Sequence, residues 1–367
     1  MKKLLFPLLS ILIVVACSTN DQYVLKGNLE GAQDELVYLQ TYKDGKLSRI
    51  DSASIVNGSF EFEKGSLDMP TMHYLSVEGK RGSLGLFLEN SEITIAGHID
   101  SIYNATVMGS VTHKEFEAYN DGLSPFYEKN SSLYQEYRAA MEEGDTVMAK
   151  QISDQRMEVN HEIETYQADF IKTNPASVVT PVVIRSISYG LDAQQLGAYL
   201  DILDPSLEDT EIVKDLNLRV ESLRRVEIGQ VAPDFSMSDV DGNEVTFTEI
   251  DGYKLLLVDF WAAWCGPCRR ENPNVVAVYN DFHEAGFDVL GVSLDNDREA
   301  WLKAINDDQL TWTHVSDLGG WSNSAAKLYA VNSIPANFLL DADGKIIAKG
   351  LRGENLRTEV ARLLAGE

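Results

Sequence analysis

The sequence predicts a C-terminal α/β domain preceded by a small antiparallel β domain and a helical spacer. Three textures carry that expectation: short apolar–polar alternation up to residue 110, helix-period spacing over 111–228, and strand–helix alternation over 229–367. At 367 residues the chain is too long for one ordinary domain, and 44% hydrophobic with 24% charged residues is the composition of a chain that packs a core.

Within 18–110, runs such as Tyr23-Val24-Leu25-Lys26-Gly27, Glu35 to Leu39, Ser59 to Phe62 and Glu92 to Ile95 alternate as half-buried strands do. Asp44-Gly45 and Asn57-Gly58 lie between such runs and predict hairpins. From Val111 onward Phe116, Tyr119, Phe126, Tyr127, Leu133, Tyr134 and Tyr137 fall at three- and four-residue spacing. Such a stripe is read as core or interhelical seam rather than a ligand box. Pro175, Pro181 and Pro205 then punctuate shorter helices to about Val226.

After Gly229 an apolar strand over Lys254 to Phe260 runs into Trp261-Ala262-Ala263-Trp264-Cys265-Gly266-Pro267-Cys268, and a helix follows to about Glu284. A second apolar strand covers Asp288 to Leu294, helices cover Arg298 to Asn306 and Ser324 to Tyr329, and Asp343-Gly344 centres a hairpin between Asn337–Leu340 and Lys345–Lys349. A last helix covers Asn355 to Leu364.

The N-terminus carries Lys2 and Lys3 and then about 13 mostly apolar residues from Leu4 to Ala16, the form of a secretory signal. That run is too short for a spanning helix, which needs about 20 residues. Val14-Val15-Ala16-Cys17 resembles the bacterial lipobox, which implies cleavage within 1–17 and acylation of Cys17. Several acyl chains then hold the protein on a bilayer. The expected location is the bacterial cell envelope, lipid-anchored and periplasm-facing. Ser18 after the cysteine, in place of the Asp that retains many lipoproteins in the inner membrane, favours the outer membrane.

A net charge of −26, from 57 acids and 31 bases, argues against nucleic-acid binding, which needs a surplus of Lys and Arg. The cysteines are more informative. There are three; with Cys17 lipidated, Cys265 and Cys268 remain, two residues apart, and no cysteine is left for a structural staple. Haem attachment asks for His after the second Cys, where Arg269 stands. Zinc asks for further ligands, and His73, His98, His113, His161, His283 and His314 form no ligand pair, so no metal and no cofactor are expected. A redox dithiol remains. At a strand-to-helix turn Cys265 sits at the helix N-terminus, where unpaired N–H groups and the dipole favour a thiolate. Cys265 is therefore expected to be the exposed attacking thiol, and Cys268, one turn on, the resolving thiol. Gly266 and Pro267 hold a tight helix start.

Val258-Asp259-Phe260-Trp261 through Cys268 resembles the active-site segment of thioredoxin. Ala232-Pro233-Asp234-Phe235, the insertion around Asp295 to Leu328 and the Asp341–Lys345 hairpin resemble the TlpA/ResA branch of exported thioredoxin-like proteins over 229–367. The region before it loosely resembles the N-terminal part of Bacteroidetes thioredoxin-like lipoproteins. The resemblance implies a thioredoxin fold, a cis-proline at Pro335, substrate backbone pairing at Ile334, a structural kink at Pro273, and proton acceptance by Asp259 for the resolving Cys268. The basic residue that partners this Asp in thioredoxin is unmatched, its place taken by Gly291. A raised pKa is expected for Asp259, with a merely structural Asp as the alternative. Trp264 is expected as an exposed contact surface, Trp261 as packing. Arg269 and Arg270 either tune the thiolate or are solvated.

The expected function is an envelope thiol–disulfide oxidoreductase that reduces disulfide-containing protein partners and draws electrons from an inner-membrane thiol donor. In one alternative the N-terminal β domain is a binding module and the redox domain a sensor. In another the protein is a thiol peroxidase. Val258 and Ala262 occupy the positions where a peroxidatic Pro-x-x-x-Thr-x-x-Cys motif would carry Pro and Thr, which argues against the latter.

Overall fold

The computed structural model describes residues 21–43 and 46–366, so Cys17 with the segment before it, and the Asp44-Gly45 dipeptide, lie outside the described residues. The chain divides into two compact units. One reaches to Val183 and takes in Leu203–Leu207; the other comprises Ile184–Ile202 and the chain from Glu208 onward.

In the first unit, β1 (Val24–Glu30), β2 (Leu36–Lys43), β3 (Lys46–Ser54), β4 (Ser59–Glu61), β5 (Thr71–Val77), β6 (Leu84–Leu88), β7 (Glu92–His98) and β8 (Thr106–Met108) form two four-stranded sheets, ordered β4-β1-β7-β8 and β3-β2-β5-β6. Alternate residues of each sheet, among them Leu25, Ile93 and Ile95 from one and Val37, Leu39 and Leu75 from the other, share one apolar core. Asn57 and Gly58 form a two-residue turn with φ of 50° and 81°, and Val56 and Ser59 exchange backbone hydrogen bonds of 2.8 and 3.0 Å around it. The sheets depart from the antiparallel expectation at one place: β1 runs parallel to β7, in register from Val24↔Glu92 to Glu30↔His98. The two strands are far apart in sequence, and the strands between them supply the crossover that parallel pairing needs.

Gly27 of β1 faces both Phe60 and Ile95, and a Cβ there would stand 2.6 Å from the Phe60 ring and 2.8 Å from Ile95 Cβ. Only a residue without a side chain lets the strands close.

The helices α1 (Val111–Glu143) and α2 (Thr146–Thr173) complete this unit. Gly144, at φ 75°, ends α1, and the Asp145 side chain accepts the Met148 N–H at 2.9 Å to start α2. The seam lies around Tyr119, whose ring centroid is 4.7 Å from that of Phe170 and whose carbonyl accepts the Tyr166 hydroxyl at 3.2 Å. The aromatic stripe is thus only partly a seam: Leu133 is buried while Tyr127 and Tyr134 are exposed, because adjacent helical residues point about 100° apart and only one of each neighbouring pair faces the partner helix.

The helix α3 (Thr180–Ile187) spans the division between units. Residues 111–228 therefore belong to both, since α4 (Ala193–Leu200) and α5 (Glu211–Arg225) lie in the second. There follow β9 (Ser236–Asp239), β10 (Glu244–Thr246), β11 (Leu255–Trp261), α6 (Gly266–Phe282), β12 (Phe287–Ser293), α7 (Arg298–Asp307), β13 (Thr313–Ser316), α8 (Ser324–Leu328), β14 (Ala336–Asp341), β15 (Ile346–Lys349) and α9 (Gly353–Leu364). The sheet order is β10-β9-β13-β12-β11-β14-β15, with β11, β12 and β13 parallel and β14 antiparallel to β11. This is a thioredoxin fold. All seven residues of β11 are buried, as expected of a central strand covered on both faces.

Gly27→Ala is expected to lower the stability of the first unit by about 1–3 kcal/mol through overpacking. Denaturant unfolding checks this, and an unchanged midpoint would contradict the packing at Phe60 and Ile95.

Candidate active site

The site begins where β11 leaves the sheet. Trp261 ends the strand, and α6 starts at Gly266 with Pro267 in its first turn, where a missing N–H costs nothing. Cys265 is the N-cap. Its sulfur accepts the backbone N–H of Cys268 at 3.1 Å and is bonded covalently to the Cys268 sulfur. The Cys265 sulfur also lies 3.7 Å from the Ile334 carbonyl oxygen, and the Ile334–Pro335 peptide is cis. The fold thus brings Cys265, Cys268, Ile334 and Pro335 together from a strand end, a helix start and the loop before β14.

One expectation needs correction. Cys265 is only 4% exposed, against 1% for Cys268. In the disulfide form the sulfur is tucked between its own helix and the Ile334 loop, so exposure passes to the neighbours. Trp264 is 52% exposed, and Gly266 and Pro267 are exposed as well. Trp261 is buried in the core.

Asp259 is 6% exposed, in the middle of β11. Burial above all, with the Glu271 carboxylate on α6 adding to it and the Arg352 guanidinium opposing both, raises its carboxyl to about 7. Glu271 lies one turn beyond Cys268 on α6 and accepts the Gly353 N–H at 2.7 Å, which pins the start of α9 against α6. Arg352 donates to the Pro335 carbonyl at 2.5 Å. The same arginine therefore faces the buried acid and holds the cis-proline loop.

Asp259 is in register with Gly291 on one side and Asn337 on the other. Asn337 is committed to the Leu351 backbone, donating to its carbonyl at 2.8 Å and accepting its N–H at 2.9 Å. Over Gly291 lies the ring of His314 from β13: a Cβ on the glycine would stand 2.3 Å from His314 Nδ1. Burial drives the His314 pKa down to about 3, so this ring is neutral at physiological pH. No lysine could occupy position 291 beside it.

Arg269 does not face the sulfurs. It is paired with Asp308, donates from Nη2 at 2.7 Å, and reaches the Ala263 carbonyl at 3.4 Å. Asn272 donates to the same Asp308 at 2.6 Å. Asp295, which sequence reasoning missed, is buried and accepts the Ala263 N–H at 2.9 Å and the Ser293 hydroxyl at 2.8 Å. It directly follows the apolar run over Asp288 to Leu294, a position where a carboxylate is costly unless it is paired. Among the described residues no cluster of His, Cys, Asp and Glu is arranged to hold a metal ion.

The fold and the disulfide define the class: a thioredoxin-like protein-disulfide oxidoreductase. Comparison with known proteins agrees. Residues 228–349 match the AhpC/TSA family, and residues 23–116 match a domain of unknown function, DUF4369. Thiol-disulfide oxidoreductase ResA of Geobacillus thermodenitrificans is 32% identical over 121 residues, covering 33% of this chain and 67% of the relative. ResA of Bacillus thuringiensis is 29% identical over 140 residues, 38% of this chain and 78% of the relative. The thioredoxin domain of a Bacteroides vulgatus thiol-disulfide oxidoreductase is 37% identical and covers 38% of this chain and 98% of its own, at a TM-score of 0.36. The chain belongs to the ResA-like thiol–disulfide oxidoreductases.

The raised carboxyl predicts a pH dependence. Folded protein keeps the Asp259 proton to about pH 7, whereas the unfolded chain loses it near pH 4. Stability therefore falls as pH rises through that window and levels off above it. Asp259→Asn is expected to remove this slope and to be more stable than wild type at pH 8, by at most roughly 4 kcal/mol. Urea unfolding at pH 5 and pH 8 checks it; a variant no more stable at pH 8 would contradict the buried, raised carboxyl.

Proposed function

We propose that the protein is an envelope reductase of protein disulfides, with Cys265 as nucleophile, Cys268 as resolving thiol and Asp259 as proton acceptor. The observation that carries the reading is the position of the Cys265 sulfur. It caps α6, where the helix N–H groups stabilise a thiolate, and it lies beside the Ile334 carbonyl, where a substrate chain can align.

In the reduced protein the Cys265 thiolate attacks one sulfur of a substrate disulfide. The substrate's other sulfur leaves as a thiolate, and a mixed disulfide joins Cys265 to the substrate. Cys268 then gives its proton to Asp259, and its thiolate attacks the Cys265 sulfur. The second substrate sulfur leaves, two electrons have passed to the substrate, and the Cys265–Cys268 disulfide remains. A buried carboxyl that titrates at about 7 is matched to this exchange at neutral pH. Ile334 supplies backbone pairing to the substrate and Pro335 shapes its approach, while Trp264, Gly266 and Pro267 support the site. The chemistry needs no cofactor besides the dithiol.

A dithiol donor must restore the reduced state, and in an oxidising compartment an inner-membrane thiol protein suits that role. The lipobox-like segment at Val14–Cys17 supports a lipid anchor on the bilayer at Cys17, facing the periplasm, with the outer membrane favoured. The Gly266-Pro267 dipeptide supports the reducing direction, since it resembles that of reducing thioredoxins, whose potential is about −270 mV.

Equilibration with glutathione or dithiothreitol buffers is expected to place the Cys265–Cys268 couple at about −250 mV or below. A value near −120 mV, that of a strong oxidant, would reverse the direction of electron flow.

A further inference from the structure

Of the five tryptophans, Trp261, Trp301 and Trp312 are buried, whereas Trp264 and Trp321 are 52% and 50% exposed. The two exposed rings meet, with centroids 5.9 Å apart and planes at 55°. Trp264 directly precedes Cys265. Trp321 comes from the turn Gly320–Ser322, between β13 and α8.

One residue sets both. The Asp295 carboxylate accepts the N–H of Ala263, the residue before Trp264, at 2.9 Å; the Asp295 carbonyl accepts the N–H of Gly320, the residue before Trp321, at 3.4 Å. The Trp321 turn is further fixed by the fully buried Asn323, which donates to the Ser293 carbonyl at 3.3 Å and to Asp317 at 2.9 Å. The pair is thus held before any partner arrives, which lowers the entropic cost of binding. The acids of these loops are committed to backbone N–H groups, Asp297 to Glu299 and Ala300, Asp317 to Gly319 and Ser324. What the patch presents is ring surface, and Trp264 adjoins the buried disulfide through its neighbour Cys265.

We propose that Trp264 and Trp321 form an aromatic clamp for a large apolar side chain flanking the cystine of a polypeptide substrate, which makes Trp321 a specificity-determining residue of the disulfide exchange. The inference rests on the reading that Cys265 attacks protein disulfides. Rings of this kind bind side chains through apolar contact and stacking. The clamp therefore selects by the residue beside the substrate cysteine, while Ile334 takes the backbone.

The test uses the reduced full-length protein and three disulfides: two cystine-bridged peptides that differ only by Phe or Ser beside the cysteine, and 2-hydroxyethyl disulfide. Rates come from acid quench and mass spectrometry. Wild type is expected to reduce the Phe peptide about 10-fold faster than the Ser peptide, the size of a modest apolar-pocket preference. Trp321→Ala should abolish that preference and leave the other two rates within about twofold, and Trp321→Phe should restore most of it. Equal wild-type rates on the two peptides, or a uniform loss on all three substrates in Trp321→Ala, would overturn the clamp. So would sedimentation showing that the pair joins two copies of this chain. A wild-type protein inert to all three disulfides would instead bring down the parent reading along with the clamp.

Discussion

The site depends on one constraint, the burial of β11 on both faces from Leu255 to Trp261 and its abrupt passage into α6. A strand so covered cannot shift register without moving its whole side-chain set to the wrong face. Its end is therefore a fixed point. From it the Ala262-Ala263-Trp264 segment turns into a helix whose first cap is a cysteine sulfur, so a backbone N–H that any helix start leaves unpaired, that of Cys268, is aimed at the Cys265 sulfur. The neighbouring strand β14 is paired with β11 from Leu255↔Asp341 to Phe260↔Ala336, and the Ile334–Pro335 loop that precedes it is brought to the same sulfur.

The same burial creates the acid. Asp259 lies on the strand that must be covered, and a carboxylate there is costly in the charged form. Glu271 adds to that cost, while Arg352 reduces it and at the same time holds the Pro335 carbonyl. The protein thus accepts a stability penalty above neutral pH at the strand that also delivers Cys265. Asp295 plays a complementary part on the other side: its bonds to Ala263 and Ser293 tie the active-site turn to the end of β12. Two buried carboxyls, one within β11 and one just past the end of the neighbouring strand β12, flank the segment that leads to Cys265.

Much of the second unit was legible in the sequence because its signals are local. The apolar run over 254–260, the Cys-x-x-Cys pair and the Asp343-Gly344 turn each specify their own structure within a few residues. The Asn57-Gly58 hairpin was legible for the same reason, since both residues adopt left-handed backbone. What escaped depends on distant partners. The parallel pairing of β1 with β7 joins strands more than sixty residues apart, and no turn signal marks it. Tyr127 and Tyr134 have the spacing of a seam yet remain exposed, Tyr134 with the Arg156 guanidinium over its ring. The burial of Cys265 follows from the Ile334 loop, and the setting of Gly291 follows from His314, one strand further out. Trp321 carried no signal of its own; only the fold places it beside Trp264.

The central claim is that the start of α6 makes Cys265, and not Cys268, the nucleophile. The most direct test is the pH dependence of iodoacetamide alkylation of the fully reduced protein, with each modified cysteine assigned by peptide mass spectrometry. The account predicts that Cys265 is alkylated first, with an apparent pKa below the ordinary thiol value of about 8.5, while Cys268 reacts only at higher pH. Preferential alkylation of Cys268, or two cysteines titrating together at about 8.5 or above, would contradict it.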